Sequence, residues 1–179
     1  MQQLRDVVLP GGHLNKNVVG KSARQIGAMA GIVVPETARI ILLPADGAGT
    51  DDVLAREKLC PVVAILPYGT FEDAVANAKA NLLVEGAGHS AALHSQNEDH
   101  IRYMGLELPI SRLVVNQPSS LTAGGSLTNG FAPTTTLGCG SWGGNSISEN
   151  LDYKHLMNVS RIGKVIESRK VPSDTEIWA

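Results

Sequence analysis

Short, almost wholly apolar runs alternate with amphipathic stretches over about the first two thirds of the chain. Four such runs, at residues 39–43, 61–66, 90–94 and 110–116, predict buried strands. Near-continuous apolar strands separated by helical segments are typical of a parallel sheet that is covered on both faces. The pattern therefore predicts an α/β fold in which a parallel sheet is flanked by helices.

Three amphipathic stretches predict helices. Residues 16–30 carry apolar positions at helical spacing and are followed by Gly31, which can end a helix. Thr70 begins the clearest helix, since its hydroxyl can cap the first turn, and residues 97–106 predict a third helix. The apolar stripe of the Thr70 helix consists of Phe71, Val75, Ala78 and Leu82.

The chain changes character at Gln117, after which it is rich in Ser, Thr, Gly and Asn. No internal repeat and no long linker divides the sequence. We therefore expect one domain over residues 1–167, followed by an arm or loose tail at residues 168–179, where periodicity is absent.

Composition narrows the class of protein. The net charge of −2 argues against a surface for polyanions, so neither nucleic acid nor an anionic membrane is an expected partner. No apolar run approaches the ~20 residues that span a bilayer. The first residues contain no apolar h-region, so we expect no signal peptide. Its two cysteines, Cys60 and Cys139, form no CxxC pair. This usage fits a reducing compartment and predicts a cytoplasmic protein.

The densest signal lies at residues 136–146, which hold four glycines, a cysteine and one of only two tryptophans. Glycines at such density indicate a backbone that approaches a ligand or another chain segment closely. The spacing of Gly138, Gly140 and Gly143 formally matches a dinucleotide fingerprint, but no helical sequence follows. The segment is better interpreted as a loop lining a pocket, with Trp142 either in the pocket wall or buried as a structural residue.

Two further residues are candidates for chemistry. Glu57 precedes a predicted strand, where a carboxylate can accept hydrogen bonds from a ribose diol; the alternative is a surface charge paired with Arg56 or Lys58. His89 follows a Gly-Ala-Gly turn and can act as acid or base near neutral pH. The alternative for His89 is a hydrogen-bonded structural residue.

Neither cysteine is assigned a covalent role. Cys60 is interpreted as a packing residue. Cys139 lies among backbone amides that can stabilise a thiolate, but no histidine or lysine is close to it in sequence. A cysteine hydrolase using Cys139 would need a histidine near it in space.

Four segments together resemble the CoA-acylating aldehyde dehydrogenases. They are residues 56–61 (Arg-Glu-Lys-Leu-Cys-Pro), 86–90 (Gly-Ala-Gly-His-Ser), 115–120 (Val-Asn-Gln-Pro-Ser-Ser) and the glycine loop continuing to residue 158. All four come in the family's order and at about its spacing, and the resemblance runs from about Leu4 to about Ile166. It implies that residues 1–167 correspond to the C-terminal part of the family's catalytic domain.

The resemblance also implies site residues and ligands. Glu57 would contact the nicotinamide ribose, Leu137 and Gly138 would lie against the cofactor, and His89 would act around the thioester or the CoA thiol. The implied cofactor is NAD or NADP, CoA is the co-substrate, and the partner is a small aldehyde. The family's nucleophilic cysteine lies upstream, in a segment that this sequence does not contain.

Two expectations follow from the missing nucleophile. The chain alone should not oxidise aldehydes, and apolar surface or strand edges left open should favour a homo-oligomer. The alternative function is a non-catalytic α/β module for binding or assembly.

Overall fold

The strands form two separate parallel pairs. A computed structural model describes residues 1–178, and in it β1 (Ile41–Pro44) pairs with β2 (Val62–Ile65), while β3 (Gly88–Leu93) pairs with β4 (Ile110–Val115). The α/β class is confirmed, but the single expected sheet is replaced by two pairs, each on its own apolar cluster. The strands lie within two residues of their predicted ends.

Helices pack against both pairs. In residues 1–178 no helix is long and apolar enough to cross a membrane. The α-helices are α1 (Gln2–Val8), α2 (Ala23–Met29), α3 (Phe71–Val84), α4 (Glu98–Glu107), α5 (Ser119–Thr122) and α6 (Asp174–Ile177). Single 3₁₀ turns lie at Pro10–Gly12, Lys16–Val18, Val53–Ala55, Ser141–Gly143 and Tyr153–Leu156.

The helix predicted over residues 16–30 is wrong in its first half. A 3₁₀ turn occupies Lys16–Val18, and Gly20 then adopts a φ of 71°, which breaks a helix. Ser22 restarts the helix through a capping box with Gln25. The helical spacing of apolar residues thus runs on through Gly20, although the backbone turns there and is not helical.

The helix predicted to begin after Thr70 is present as α3. The Thr70 hydroxyl accepts a hydrogen bond from the Asp73 amide at 3.2 Å, and the Asp73 carboxylate accepts one from the Thr70 amide at 2.9 Å. Asn97 caps α4 in a similar way, accepting from the amides of Asp99 and His100. Local capping therefore sets where both helices begin.

Two apolar clusters form the interior. The first lies between α1, α2 and the β1–β2 pair, and the second lies between α3, α4 and the β3–β4 pair. The buried residues of the first are Leu4, Val8, Leu9, Val18, Ala23, Ile26, Ile41, Leu43, Ala45, Leu54 and Val62. Those of the second are Val75, Met104, Leu108 and Ile110.

The outer face of the β1–β2 pair is open. Ile40, Leu42, Val63 and Ile65 are each between 43% and 52% exposed. A soluble protein rarely leaves neighbouring strand side chains of this kind uncovered. The open apolar surface expected from the sequence is therefore found on this pair of strands.

The segment after β4 returns along the β3–β4 pair. Leu137 and Asn150 form an antiparallel bridge, and Asn150 is buried. Residues 157–178 are exposed, and the predicted tail contains the short helix α6, begun by a capping box at Ser173. Ala179, the last residue of that tail, lies outside the described residues.

Candidate active site

The glycine loop is shaped by close contact with other backbone. Gly88, at the start of β3, has a φ of 82°, and a Cβ there would lie 1.9 Å from the Cys139 carbonyl oxygen. A Cβ on Gly138 would lie 2.3 Å from the Ile147 carbonyl oxygen. The sequence left two explanations for these glycines, close approach to a ligand or to another chain segment. The second explanation accounts for Gly88 and Gly138.

Trp142 is 55% exposed, so its interpretation as a buried structural residue is wrong. The cysteines are also away from any reactive arrangement. The Cys139 thiol donates to the Leu137 carbonyl oxygen at 3.8 Å, and no histidine ring in residues 1–178 bonds to it. Cys60 packs at the edge of the first cluster, where burial raises the pKa of its thiol. Among residues 1–178, no side-chain base forms a hydrogen bond with either thiol.

Glu57 and His89 line the same hollow, of about 290 Å³, which we call the acidic hollow. The Glu57 amide donates to the Glu85 carboxylate at 2.8 Å, so the end of α3 holds the loop before β2. Sequence reasoning missed Glu85, whose only signal was its place at the end of a predicted helix. The acidic hollow is lined by Ala55, Glu57, Asn81, Leu82, Glu85, Gly86, His89 and Ser90.

The Glu57 carboxylate is exposed and takes part in no ion pair among residues 1–178. The Lys58 ammonium instead donates to the carbonyl oxygens of Leu54, at 2.5 Å, and Arg56, at 2.7 Å. Pairing of Glu57 with its neighbours, the alternative left open by the sequence, is therefore not observed. Its oxygens are free to accept hydrogen bonds from a ligand.

A second hollow of about 420 Å³ is also lined by His89, and we call it the serine hollow. Leu137, from the glycine loop, forms part of its wall, while residues after β4 form the opposite part. Neither cysteine is among the residues that line the two hollows. The serine hollow is lined by His89, Ser90, Ser119, Ser120, Ala123, Gly124, Thr134 and Leu137.

His89 and Ser90 line both hollows, which are therefore neighbours. The His89 ring is exposed, and its Nδ1 lies 2.7 Å from the Ser90 hydroxyl oxygen. This bond leaves Nε2 available to solvent or ligand. His89 thus shares one hollow with Glu57 and the neighbouring hollow with Leu137.

Gly138 lies in a third, smaller hollow of about 200 Å³ that shares Leu137 with the serine hollow. Of the four residues assigned to the site from the sequence, His89 and Glu57 share one hollow and His89 and Leu137 share the other. Gly138 lines neither the acidic hollow nor the serine hollow, but it follows Leu137 directly in the chain.

A buried arginine, which sequence reasoning missed, connects the walls of the serine hollow. Arg112 on β4 is 3% exposed. Its guanidinium donates to the His89 carbonyl oxygen at 3.0 Å and to the Asn150 side-chain oxygen at 3.3 Å. Asn150 in turn donates to the carbonyl oxygens of Ala123, at 3.1 Å, and Ala132, at 2.8 Å. Arg112 and Asn150 therefore fix β3 and the returning segment relative to each other.

The chemistry open to this site follows from its groups. Carboxylate oxygens in the acidic hollow can accept hydrogen bonds from hydroxyl groups, and the His89 imidazole can transfer a proton. Within residues 1–178, no cluster of three or more His, Cys, Asp and Glu side chains is arranged to hold a metal ion.

The chain is similar in sequence and in fold to acylating aldehyde dehydrogenases. The chain is 57% identical over 178 residues to the acetylating succinate-semialdehyde dehydrogenase of Clostridium kluyveri, covering 99% of this chain and 39% of that protein. A crystal structure of an acetylating aldehyde dehydrogenase from Geobacillus thermoglucosidasius matches with a TM-score of 0.82 and 31% identity, over 97% of this chain and 38% of that one. The resemblance to the CoA-acylating aldehyde dehydrogenases is confirmed.

The chain spans about two fifths of the length of these acylating aldehyde dehydrogenases. No protein-family model matches it. A more distant structure, of Rhodopseudomonas palustris propionaldehyde dehydrogenase, contains bound CoA and an acylated cysteine; its TM-score is 0.62 at 28% identity, over 76% of this chain and 30% of that one. An engineered glycolyl-CoA reductase with bound NADP+ matches with a TM-score of 0.66 at 26% identity, over 82% of this chain and 32% of that one.

Proposed function

We propose that this chain is the C-terminal part of the catalytic domain of a CoA-acylating aldehyde dehydrogenase. In the whole enzyme, a small aldehyde, CoA and NAD(P)+ would give acyl-CoA and NAD(P)H. One observation carries the proposal for these residues: Glu57 and Leu137, assigned to the cofactor, line adjacent hollows that meet at His89.

Glu57 is proposed to hold the nicotinamide ribose. Its unpaired carboxylate can accept hydrogen bonds from both hydroxyls of the diol, and the Glu85 carboxylate fixes its backbone amide. Leu137 and Gly138 then lie against the nicotinamide, which accepts the hydride when NAD or NADP is bound.

His89 is proposed to assist the transfer of the acyl group to CoA. With Nδ1 protonated and donating to Ser90, Nε2 can accept the proton of the CoA thiol. The thiol sulfur then bonds to the acyl carbon, and the thioester bond to the enzyme's cysteine breaks. That cysteine is proposed to belong to another segment of the enzyme, since neither Cys60 nor Cys139 lines the hollows.

The test is a calorimetric titration of the chain with NAD+, NADP+ and CoA, together with an assay for NAD(P)H formation. We expect measurable binding of a nicotinamide cofactor and no CoA-dependent NAD(P)H production from succinate semialdehyde or propionaldehyde. Glu57→Gln should weaken cofactor binding about ten-fold, because the charged acceptor of the diol is lost. Glu167→Gln, an exposed change in the tail, is the matched control.

Three results would count against the proposal. Aldehyde oxidation by the chain alone would mean that a nucleophile is present. Absence of binding to all three ligands would favour the non-catalytic α/β module. Equal cofactor binding by the Glu57 and Glu167 variants would remove Glu57 from the site.

Self-association and a cytoplasmic location belong to the same proposal. The open face of β1 and β2 supports association with a second copy, and the two unbridged cysteines support a reducing compartment.

A further inference from the structure

His89 and Ser90 form a hydrogen-bonded pair of a base and a nucleophile. The Nδ1 atom of the His89 ring lies 2.7 Å from the Ser90 hydroxyl oxygen. Consecutive side chains on a strand normally point to opposite faces, so a bond between them is not a routine consequence of the strand. A separation of about 2.6–3.2 Å between a serine hydroxyl and an imidazole nitrogen is the arrangement in which the base can take the hydroxyl proton.

The backbone that carries the pair is fixed by hydrogen bonds. The His89 amide donates to the Gly86 carbonyl oxygen at 2.9 Å, and the His89 carbonyl oxygen accepts from the buried Arg112 guanidinium at 3.0 Å. Ser90 lies opposite Arg112 in the parallel register of β3 and β4. A reacting pair gains from such support, because its atoms are held close to the reactive geometry before a substrate arrives.

The serine hollow can stabilise the negative charge that forms when a serine attacks a carbonyl group. Ser90 lines it together with Ser119 and Ser120. Their hydroxyl groups can donate hydrogen bonds to the oxyanion of a tetrahedral intermediate, and stabilisation of this kind is usually the largest contribution to acyl-transfer catalysis. The volume of about 420 Å³ leaves room for a small ester.

The acidic hollow can stabilise the positive charge that forms on the base. His89 lines it together with Glu57 and Glu85, and neither carboxylate takes part in an ion pair among residues 1–178. An imidazole that takes a serine proton becomes an imidazolium, which a nearby carboxylate stabilises. The two hollows together therefore offer a stabilising group for each charge that acyl transfer to Ser90 creates.

We propose that Ser90 and His89 transfer the acyl group of small activated esters to water. This activity goes beyond the proposed function, because it needs no nicotinamide, no CoA and neither cysteine. It uses the tautomer of His89 in which Nε2 carries the proton and Nδ1 accepts from the Ser90 hydroxyl, the opposite of the tautomer proposed for acyl transfer to CoA. The exposed ring reaches either tautomer by proton exchange with solvent.

The reaction has two steps. In the first, the Ser90 oxygen bonds to the ester carbonyl carbon while Nδ1 of His89 takes the hydroxyl proton, and the bond from that carbon to the leaving oxygen breaks. The leaving group departs as an alcohol with the proton from Nδ1, or as a phenolate, in which case the proton passes to solvent. In the second step, water bonds to the acyl carbon and gives a proton to Nδ1, and the Ser90 oxygen leaves and takes that proton back. The products are a carboxylic acid and an alcohol or phenolate, with no change in oxidation state.

The probe is p-nitrophenyl acetate, and the measurements use the whole 179-residue chain. We expect release of p-nitrophenolate and, after a rapid acid quench, an acetyl group on the peptide that contains Ser90, detected by mass spectrometry. Ser90→Ala and His89→Gln should each lower the rate by about 100-fold, because each removes one half of the nucleophile–base pair. The double variant should lose no more than either single variant, since the two residues act as a unit.

Three further variants serve as controls. Ser141→Ala removes an exposed serine that lines neither hollow and should leave the rate unchanged. Cys60→Ser and Cys139→Ser should also leave it unchanged, and they test the two free thiols as an alternative source of ester cleavage. The melting temperature of each variant is compared with that of the wild type, so that a loss of rate is separated from a loss of fold.

Retention of the wild-type rate by Ser90→Ala would overturn the inference, because the imidazole would then act alone, and so would loss of the rate in Cys139→Ser. Absence of hydrolysis, or of acetylated Ser90, in the wild type would also overturn it, and this result depends on the folding of no variant. NAD+ titration separates this inference from the proposed function. A chain that binds NAD+ without cleaving the ester keeps the function and loses the esterase activity; the reverse result keeps the esterase activity and counts against the function.

Discussion

Eleven buried apolar residues form the cluster under β1 and β2, whereas only four form the cluster under β3 and β4. The second region has fewer buried apolar contacts and relies more on polar ones. Arg112 and Asn150, which are both buried, join β3 and β4 to the returning segment, and glycines allow backbone to touch backbone. The region that carries His89 and Leu137 is therefore held largely by hydrogen bonds and close backbone approach. The region of β1 and β2, to which Glu57 belongs, is held mainly by apolar packing.

This difference has a functional meaning. Apolar contacts are tolerant of small shifts, but hydrogen bonds between buried polar groups fix positions within a few tenths of an ångström. A site that must align a cofactor, a histidine and a substrate benefits from the second kind of contact. Substitutions should accordingly act in different ways on the two regions.

The largest effect is expected for Gly88→Ala. The new Cβ would collide with the Cys139 carbonyl oxygen, so we expect a loss of about 3 kcal/mol or more, or displacement of the glycine loop. Denaturant unfolding measures the loss, and amide exchange in residues 136–146 detects displacement. Gly12→Ala is the matched control, because Gly12 has a φ of 80° but no atom within 4 Å of the added Cβ. It should cost about 1–2 kcal/mol. Equal losses at the two positions would show that the loop does not press on β3.

An intermediate effect is expected at the buried ion pair of the first region. Burial alone would raise the pKa of Asp52, but hydrogen bonds from Arg5 and from the amides of Leu54 and Asp46 lower it to about 2. The stabilisation is therefore complete above the unfolded pKa of about 4 and is lost as the pH falls through 2. Asp52→Asn should cost about 2 kcal/mol at pH 7 and flatten the acid limb of the stability curve.

The control for Asp52 is Glu36→Gln, which removes an exposed ion pair with Arg24. Its cost should stay below about 0.5 kcal/mol. Urea unfolding between pH 2 and pH 7 measures both variants. An acid limb of unchanged steepness in Asp52→Asn would contradict the assignment.

The smallest effect is expected for Thr70→Ala, which removes the capping box of α3. A loss of about 1 kcal/mol should follow, because α3 packs on the second cluster and its first turn loses a hydrogen-bond acceptor. Ser173→Ala removes the same motif from α6, whose residues are exposed, and should change global stability by no more than about 0.3 kcal/mol. Similar melting temperatures for the Thr70 variant and the wild type would mean that packing alone defines the start of α3.

Sequence signals such as helix caps predicted the helices and strands well where the local preference agrees with the packing of the folded chain. Thr70 and Asn97 begin helices because their side chains bond to nearby amides, an interaction that depends only on neighbouring residues. The prediction of one helix over residues 16–30 was wrong because the spacing of their apolar residues is compatible with a turn at Gly20 as well as with a helix. The separation of the strands into two pairs depends on long-range packing, which no local pattern contains.

The candidate site was predicted in part by the family resemblance and in part not at all. Motifs predicted Glu57, His89 and Leu137 as site residues, and their roles toward a ligand remain predictions. Arg112 was missed because a single arginine in an apolar strand is usually interpreted as an edge residue. Its role depends on Asn150, far away in the sequence, and only the folded structure brings the two together.

The contact between Gly88 and Cys139 also has a consequence for the order of folding. These residues lie about 50 positions apart, whereas β3, α4 and β4 follow one another directly. Closing the longer loop costs more chain entropy, and this cost comes before the stabilising contacts can form. The β3–α4–β4 unit should consequently assemble early. The serine hollow, whose wall includes Leu137 of the glycine loop, should be completed in one of the last steps of folding.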